Sequence, residues 1–192
     1  MKKYLSKGNH KLPTTTLIFN LPAVKTCPGS TVKCRKWCYA RKSEVCYPQV
    51  LPFRMNNWQL SKQDNFVEVI SEEIKRSRTV KTIRCHESGD FYNEEYFEKW
   101  VDIALAFPEL KFYAYTKVVT LGTKFRPDNF VLLLSDDDSV FTTHWSNFDG
   151  VTTVTPKKAQ PEKGWFVCPG NCRTCNKCYD DTETKRVTFL EH

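Results

Sequence analysis

The sequence predicts an α/β fold, specifically an open, partial (β/α) barrel with about six mainly parallel strands and cysteine loops at the strand C-terminal ends. β-Branched and apolar runs alternate along the chain with segments of helical periodicity. Residues 130–134 are apolar on both faces, as in parallel strands covered on both sides. A complete eight-unit barrel, of roughly 250 residues, does not fit into 192 residues.

The first half of the chain predicts a strand, a helix and a second strand. Residues 14–20 are β-branched and apolar and are followed by Pro22, which predicts the first strand. Residues 64–78 place apolar side chains at helical spacing and basic ones in the last turn, which predicts a helix. Residues 79–85 alternate as a strand does and lead into residues 86–91.

The β-α rhythm continues in the second half. Asn93 is the predicted cap of a helix that Pro108 ends, and its buried stripe comprises Phe97, Trp100, Val101 and Ala104. Four further strands are predicted, at residues 111–116, 130–134, 150–154 and 165–167. No domain boundary is evident, so we expect residues 1–192 to form a single domain, with the residues after Cys178 as a solvated tail.

Charge and hydropathy limit the partners and the compartment. The net charge of +7 permits an anionic partner such as nucleic acid or a nucleotide, but no block of like charge is long enough to require one. The basic N-terminus precedes no apolar signal segment, and no run approaches membrane length. We therefore expect a cytoplasmic protein without membrane contact, where clustered cysteines are more often metal ligands than disulfides.

Four cysteines lie within eleven positions near the C-terminus, at Cys168, Cys172, Cys175 and Cys178. Thiolates two or three residues apart converge on one ion or cluster, so the spacing predicts a metal site. Four thiolates complete a tetrahedral zinc site, whereas an iron-sulfur cluster uses three or four, so both metals stay open. Surface thiols and disulfides are the remaining alternatives.

A second group of cysteines, Cys27, Cys34 and Cys38, follows the first predicted strand. A Cys-Pro-Gly turn opens it, and the aromatic residues Trp37 and Tyr39 flank its last member. Because the paired Cys-x-x-Cys knuckles of a zinc ribbon are absent from this stretch, it resembles an iron-sulfur loop more closely. A second structural metal is the alternative.

Other polar residues also come directly after predicted strands, where β/α sheets build their sites. They are candidates for cofactor binding: His86, Glu87, Ser88, Gly89, Asp90 and Lys117. Both cysteine groups would then face the same cleft. The alternatives are a hydrogen-bonded structural histidine at His86 and a solvated lysine at Lys117.

Three features have simpler explanations. Residues 136–138 are acidic and favour a polar turn over a cation site. Cys85 is interpreted as a buried small hydrophobic residue and Cys46 as a spare thiol, although Cys46 could also complete the first cysteine group. The aromatic residues around Cys38, among several basic ones, predict either a nucleic-acid surface or a lid over the cluster.

A family resemblance is carried by Thr26-Cys27-Pro28, Cys38-Tyr39-Ala40, residues 86–91, residues 112–117 and the terminal cysteine loop. Together, over about residues 16–178, these resemble the phage family known as gene product 88. The resemblance implies a phage or mobile-element origin, and hence the cytoplasm of a host cell.

A more remote resemblance is to the radical S-adenosylmethionine (SAM) superfamily, through a cysteine triad after the first strand that ends in Cys-Tyr-Ala. In that superfamily three cysteines hold a 4Fe-4S cluster, and its open iron binds the methionine part of SAM. The first group here is spaced Cys-x6-Cys-x3-Cys, and the superfamily's usual Cys-x3-Cys-x2-Cys occurs at Cys168, Cys172 and Cys175.

Two functions follow as expectations. The first is a phage iron-sulfur protein, as a minimal radical-SAM-like enzyme that binds 4Fe-4S at the first cysteine group and SAM at the 86–90 turn. The second is a non-enzymatic phage protein that is stabilised by iron-sulfur or zinc and binds a host protein or nucleic acid.

Overall fold

Eight strands form one sheet in the part of the chain that the computed structural model describes, residues 2–137, 141–156, 159–180 and 185–190. The strands are β1 (Ser6–Lys7), β2 (Thr16–Phe19), β3 (Thr82–Cys85), β4 (Lys111–Thr116), β5 (Phe130–Ser135), β6 (Gly150–Thr155), β7 (Phe166–Val167) and β8 (Arg186–Leu190). Their spatial order is β1-β2-β3-β4-β5-β6-β8-β7. Only the pairing of β1 with β2 is antiparallel among these strands, which confirms a mixed α/β protein with a mostly parallel sheet.

Five α-helices occur in the described residues, all in the first two crossovers of the sheet. The helices are α1 (Val32–Lys36), α2 (Tyr39–Cys46), α3 (Val50–Ser61), α4 (Phe66–Lys75) and α5 (Glu94–Ala106). The first four lie between β2 and β3, and α5 lies between β3 and β4. The predicted helices correspond to α4 and α5, and the predicted cap is confirmed because the Asn93 side chain accepts a hydrogen bond from the Tyr96 N–H at 2.9 Å.

The six predicted strands are all present, but two further strands were missed. The two residues of β1 are too few to show periodicity. The expectation of a solvated tail after Cys178 is wrong for Arg186–Leu190, which forms β8 between β6 and β7. The physical reason is a short β-branched and aromatic run whose Val187 is fully buried, despite the charged sequence that precedes it.

The regular β-α rhythm fails in the second half. Two 3-10 helices, Val119–Thr123 and Thr142–Asn147, stand where α-helices would connect β4 to β5 and β5 to β6. The sheet is open, with β1 and β7 as its edge strands, and its barrel-like curvature stays a prediction. Across the described ranges, no helix combines the length and apolar character that a membrane span requires.

The two faces of the sheet have different surroundings. Phe19 on one face packs against Phe66 of α4 and Trp100 of α5, at ring-centroid distances of 5.5 and 5.4 Å. Because side chains alternate along a strand, Tyr113 and Tyr115 of β4 lie on the other face. There Tyr179 from the C-terminal cysteine loop stacks on Tyr113 at 4.5 Å. Helices α4 and α5 therefore cover one face, and the cysteine loop covers part of the other.

Candidate metal centre

The first cysteine group lies in the crossover that follows β2. Cys27 begins a turn in which its carbonyl accepts from the Ser30 N–H, Cys34 is in α1 and Cys38 is the N-cap residue of α2. All three are half-buried. Burial, together with the smaller effects of the negative charges of Asp90, Cys34 and Cys38, raises the pKa of Cys27 to about 12. The three thiols therefore share one neighbourhood at the carboxyl edge of the sheet.

A buried ion pair stands beside this group. Lys117 Nζ lies 2.8 Å from Asp137 Oδ2, and both side chains are 9% exposed. The same ammonium donates to the backbone carbonyl and to the hydroxyl of Ser135, each at 2.8 Å. Burial raises the pKa of Cys34, and the positive charge of Lys117 opposes that increase. Lys117 is thus a buried, paired cation beside a thiol, which corrects the alternative of a solvated lysine.

The C-terminal cysteine group lies over the second face of the sheet. Burial raises the pKa of Cys178 to about 11, a hydrogen bond from Tyr115 opposes the increase, and the charges of the other three thiols add to it. Burial also raises the pKa of Cys172, which the positive charge of Arg84 lowers. The four thiols are therefore neighbours, and a guanidinium lies near them.

Arg84 occupies the face of the sheet beneath this loop. Its guanidinium carbon lies 5.8 Å from the ring centroid of Tyr113 and 5.3 Å from that of Tyr115. Among the described residues, Arg84 Nε and the Tyr113 hydroxyl are buried without a hydrogen-bond partner. Arg84 in β3, followed by tyrosines at alternate positions of β4, is the sequence signal that could have identified this cluster.

The 86–90 turn is fastened to the segment after β2. The Asn20 side chain accepts from the N–H groups of Glu87 and Ser88 at 2.7 and 3.0 Å. Ser88 Oγ donates to the Leu21 carbonyl at 2.8 Å, and the Leu21 N–H donates to the Ser88 carbonyl at 2.9 Å. Gly89 has a φ of +87°, and a Cβ there would lie 2.5 Å from that of Leu21. A side chain at this position would be both strained and obstructed.

Asp90 connects three segments of the site. Its N–H donates to the Thr26 carbonyl at 3.2 Å, directly before Cys27. Its carboxylate accepts from the Phe91 N–H at 2.7 Å and from the Lys117 N–H at 2.9 Å. Burial raises the pKa of Asp90 to about 6, although these hydrogen bonds favour the ionised form. Both carboxylate oxygens therefore hold the backbone of the site in place.

Glu87 lies between the two cysteine groups. Its carboxylate accepts from Asn9 Nδ2 at 2.9 Å and faces Arg84 at 3.4 Å, on the side of the C-terminal loop. Its backbone carbonyl accepts from the Tyr39 hydroxyl at 2.5 Å, on the side of Cys38. The path from Cys38 through Tyr39, Glu87 and Arg84 connects the surroundings of the two groups.

His86 is turned into the aromatic core. Its side chain is almost completely buried, its ring lies 4.8 Å from that of Phe91, and Nε2 is 2.8 Å from the Tyr96 hydroxyl. Its φ of +76° is unusual for a residue other than glycine. Burial and the charge of Arg84 lower the pKa of His86 to about 3, so the ring is neutral at pH 7. Of the candidate cofactor-binding residues, His86 is the one whose side chain lies in the core.

The structure bears on the simpler interpretations of Cys85, Cys46 and the acidic residues 136–138. Cys85 is fully buried and Cys46 is exposed, as expected for a small hydrophobic residue and a spare thiol. Asp136 accepts from the Phe141 N–H and from Trp145 Nε1, which fits the predicted polar turn. Asp138 lies outside the described residues.

The donor atoms are near one another without forming a closed ligand shell. Within the described ranges, no three His, Cys, Asp or Glu side chains are gathered closely enough to hold a metal ion. The two cysteine groups nevertheless suit thiophilic metals, because each is composed of half-buried thiols. The thiols within a group are close enough for the charge of one to raise the pKa of another. Metal binding therefore requires the thiols of each group to move closer together.

Comparison with known proteins gives the family. The family described as Gene product 88 matches residues 3–175. A Gene 88 protein of Mycobacterium phage L5 is 27% identical over 92% of this chain and 81% of its own length. A Gene 88 protein of Mycobacterium phage D29 is 25% identical over 82% of this chain and 75% of its own length. No solved structure matches the chain. The match over most of the chain confirms the resemblance, and the protein belongs to the phage gene product 88 family.

Proposed function

We propose that this phage protein is an iron-sulfur protein in which Cys27, Cys34 and Cys38 hold a 4Fe-4S cluster. The observation that supports the proposal is the shared neighbourhood of three half-buried thiols at the carboxyl edge of a parallel sheet. This edge is where α/β proteins build cofactor sites. When bound, such a cluster supplies single-electron chemistry.

The residues around the thiols have positioning roles in this proposal. Thr31 Oγ1 accepts from the Cys34 N–H at 3.0 Å and so fixes the start of α1. Gly29 lies against the backbone of Lys117, where a Cβ would approach the carbonyl oxygen to 2.3 Å. Asp90 fastens the same loop through Thr26 and Lys117. These contacts hold the thiol-bearing loop against the ends of β3 and β4.

The enzymatic form of the proposal is a minimal radical-SAM-like enzyme. Three protein thiolates leave one iron of a 4Fe-4S cluster open for an external ligand such as SAM. The 86–90 turn lies beside the loop, but the carboxylates of Glu87 and Asp90 already have protein partners. We therefore assign Asp90 a positioning role and expect backbone carbonyl groups of the turn to receive the SAM ammonium.

The C-terminal group forms a second metal site in the proposal. Four neighbouring thiols suffice for a second cluster, or for tetrahedral zinc with no further ligand. If zinc is the only metal, the protein is a metal-stabilised, non-enzymatic phage protein that binds a host protein or nucleic acid. Metal analysis of Cys172→Ala assigns the metal at this second site.

The test is metal and sulfide analysis with Mössbauer spectroscopy on protein purified without oxygen. We expect brown protein with iron and sulfide, and loss of one cluster in each of Cys27→Ala, Cys34→Ala and Cys38→Ala. Cys46→Ala is the matched control, since Cys46 is an exposed thiol on α2. Colourless protein with zinc alone, or unchanged iron in the three variants, would overturn the proposal.

The enzymatic form has its own test. Calorimetric titration of the loaded protein with SAM, followed by reduction and analysis for 5′-deoxyadenosine, should show binding and cleavage. Absence of SAM binding to fully loaded protein would reject the enzyme and leave the iron-sulfur protein.

A further inference from the structure

The outer surface of α1 and α2 is strongly basic. We call it the α1–α2 surface and define it by its exposed residues Arg35, Lys36, Trp37, Tyr39, Arg41, Lys42 and Tyr47. Residues 31–47 contain five lysines and arginines but one carboxylate, Glu44. Glu44 is 9% exposed, lies 2.9 Å from Arg54 and accepts from the Ala23 N–H at 2.7 Å. Its charge is thus neutralised below the surface, and the face presented to solvent is cationic.

Three aromatic rings are exposed among these cations. Trp37, Tyr39 and Tyr47 are 58%, 63% and 56% exposed, although large aromatic side chains are usually well buried. The Tyr39 ring is held in place because its hydroxyl donates to the Glu87 carbonyl. Lys36 Nζ lies 5.4 Å from the Trp37 ring centroid. The surface therefore offers flat faces for stacking, at least one of them fixed before any ligand arrives.

We propose that the α1–α2 surface binds single-stranded nucleic acid. Exposed rings with interspersed cations match unpaired bases and the phosphates that connect them. In a duplex the bases are already stacked on one another, so a duplex would use only the cations. The cationic charge and the absence of a free carboxylate among residues 31–47 of this described segment favour a polyanion over a protein partner.

This inference goes beyond the iron-sulfur proposal and does not depend on which metal the thiols bind. The cations and rings that define the surface are distinct from the thiols, even though Cys34 and Cys38 lie on the same elements. Substitutions of exposed side chains can therefore test nucleic-acid binding while iron content is measured separately on the same variants.

The experiment is fluorescence anisotropy with a labelled oligothymidylate of about 12 nucleotides, and with oligouridylate and a duplex of the same length. We expect both single strands to bind more tightly than the duplex, with affinity falling as salt rises. Lys36→Glu combined with Arg41→Glu should weaken binding at least tenfold and flatten the salt dependence. Trp37→Ala should weaken binding by roughly fivefold to a hundredfold, the usual effect of losing one stacking partner.

The matched control is Arg78→Glu combined with Lys111→Glu, which makes the same charge change at two exposed positions outside residues 31–47. Its affinity should stay within about twofold of the wild type, since nonspecific charge attraction falls off within a Debye length. If the Glu variants do not fold, Lys36→Gln with Arg41→Gln replaces them. Absence of binding, equal loss in the control pair, or tighter binding to the duplex would overturn the proposal.

Discussion

Single residues at this site have more than one structural task. Asp90 joins the backbone before Cys27 to the ends of β3 and β4, and Lys117 neutralises Asp137 below Cys34. Both residues were recognised in the sequence because they follow predicted strands. Their partners could not be predicted, because Thr26 and Asp137 are distant in sequence from Asp90 and Lys117 and the contacts arise from tertiary packing.

His86 gives a pH-dependent prediction at this scale. Its pKa is about 3 in the folded protein and its usual value is 6.5. Between these values the unfolded chain binds a proton that the folded chain does not, so the free energy of unfolding falls as the pH is lowered from 6.5 to about 3. The slope contributed by one group is at most about 1.4 kcal/mol per pH unit.

The measurement is urea unfolding of the wild type and of His86→Asn at several pH values in this window. Asparagine suits the left-handed backbone at this position. We expect the slope of stability against pH to decrease in the variant. The same substitution at the exposed His10, His10→Asn, is the matched control. Identical slopes for all three proteins would show that His86 titrates normally in the fold.

Elements with a regular apolar pattern could be predicted, and those without one could not. The strands from β2 to β7 and the helices α4 and α5 place apolar side chains at the period of their structure. By contrast, α2 buries only Ala40, and α3 buries Arg54, Asn57 and Ser61 beside Leu60. Polar groups with specific partners stabilise these helices, so no apolar stripe marks them in the sequence.

The loop before α1 gives a prediction at the scale of elements. A Cβ at Gly29 would lie 2.3 Å from the Lys117 carbonyl oxygen, which belongs to the backbone and cannot rotate away. Gly29→Ala should therefore push the loop off the end of β4 and lower the free energy of unfolding by roughly 1–3 kcal/mol. It should also reduce iron incorporation at Cys27 and Cys34.

Gly164→Ala is the control for this substitution, measured by the same denaturant unfolding and iron analysis. Its Cβ would have no neighbour within 4 Å, so only the strain of its φ of +89° applies, about 1 kcal/mol. We expect the control to keep the iron content of the wild type. If Gly29→Ala also keeps it, the loop adapts to a methyl group without losing its ligand geometry.

At the scale of the whole molecule, the sheet brings the two cysteine groups to opposite ends of one polar path. The sequence predicts that both follow strands, but it does not predict that β8 inserts beside β7 and supports the second loop. The Cys168 N–H donates to the Thr188 carbonyl at 2.8 Å, so a strand near the C-terminus positions a thiol twenty residues earlier. Such nonlocal pairing leaves no periodic signal near Cys168.

Metal removal should therefore destabilise the C-terminal cysteine loop more than the core of the sheet. The sheet core, with Phe19, Phe66 and Trp100, is packed without any contribution from metal. The C-terminal loop depends instead on a few contacts such as the Tyr113–Tyr179 stack, and metal-binding energy at such a loop is also folding energy.

We expect hydrogen exchange of residues 165–178 to accelerate on metal removal before that of β3 and β4. Helix α4, which carries no proposed ligand, serves as the internal reference, because its exchange should change less. Equal protection of residues 165–178 in the metal-free and loaded protein would mean that the loop is formed before the metal binds.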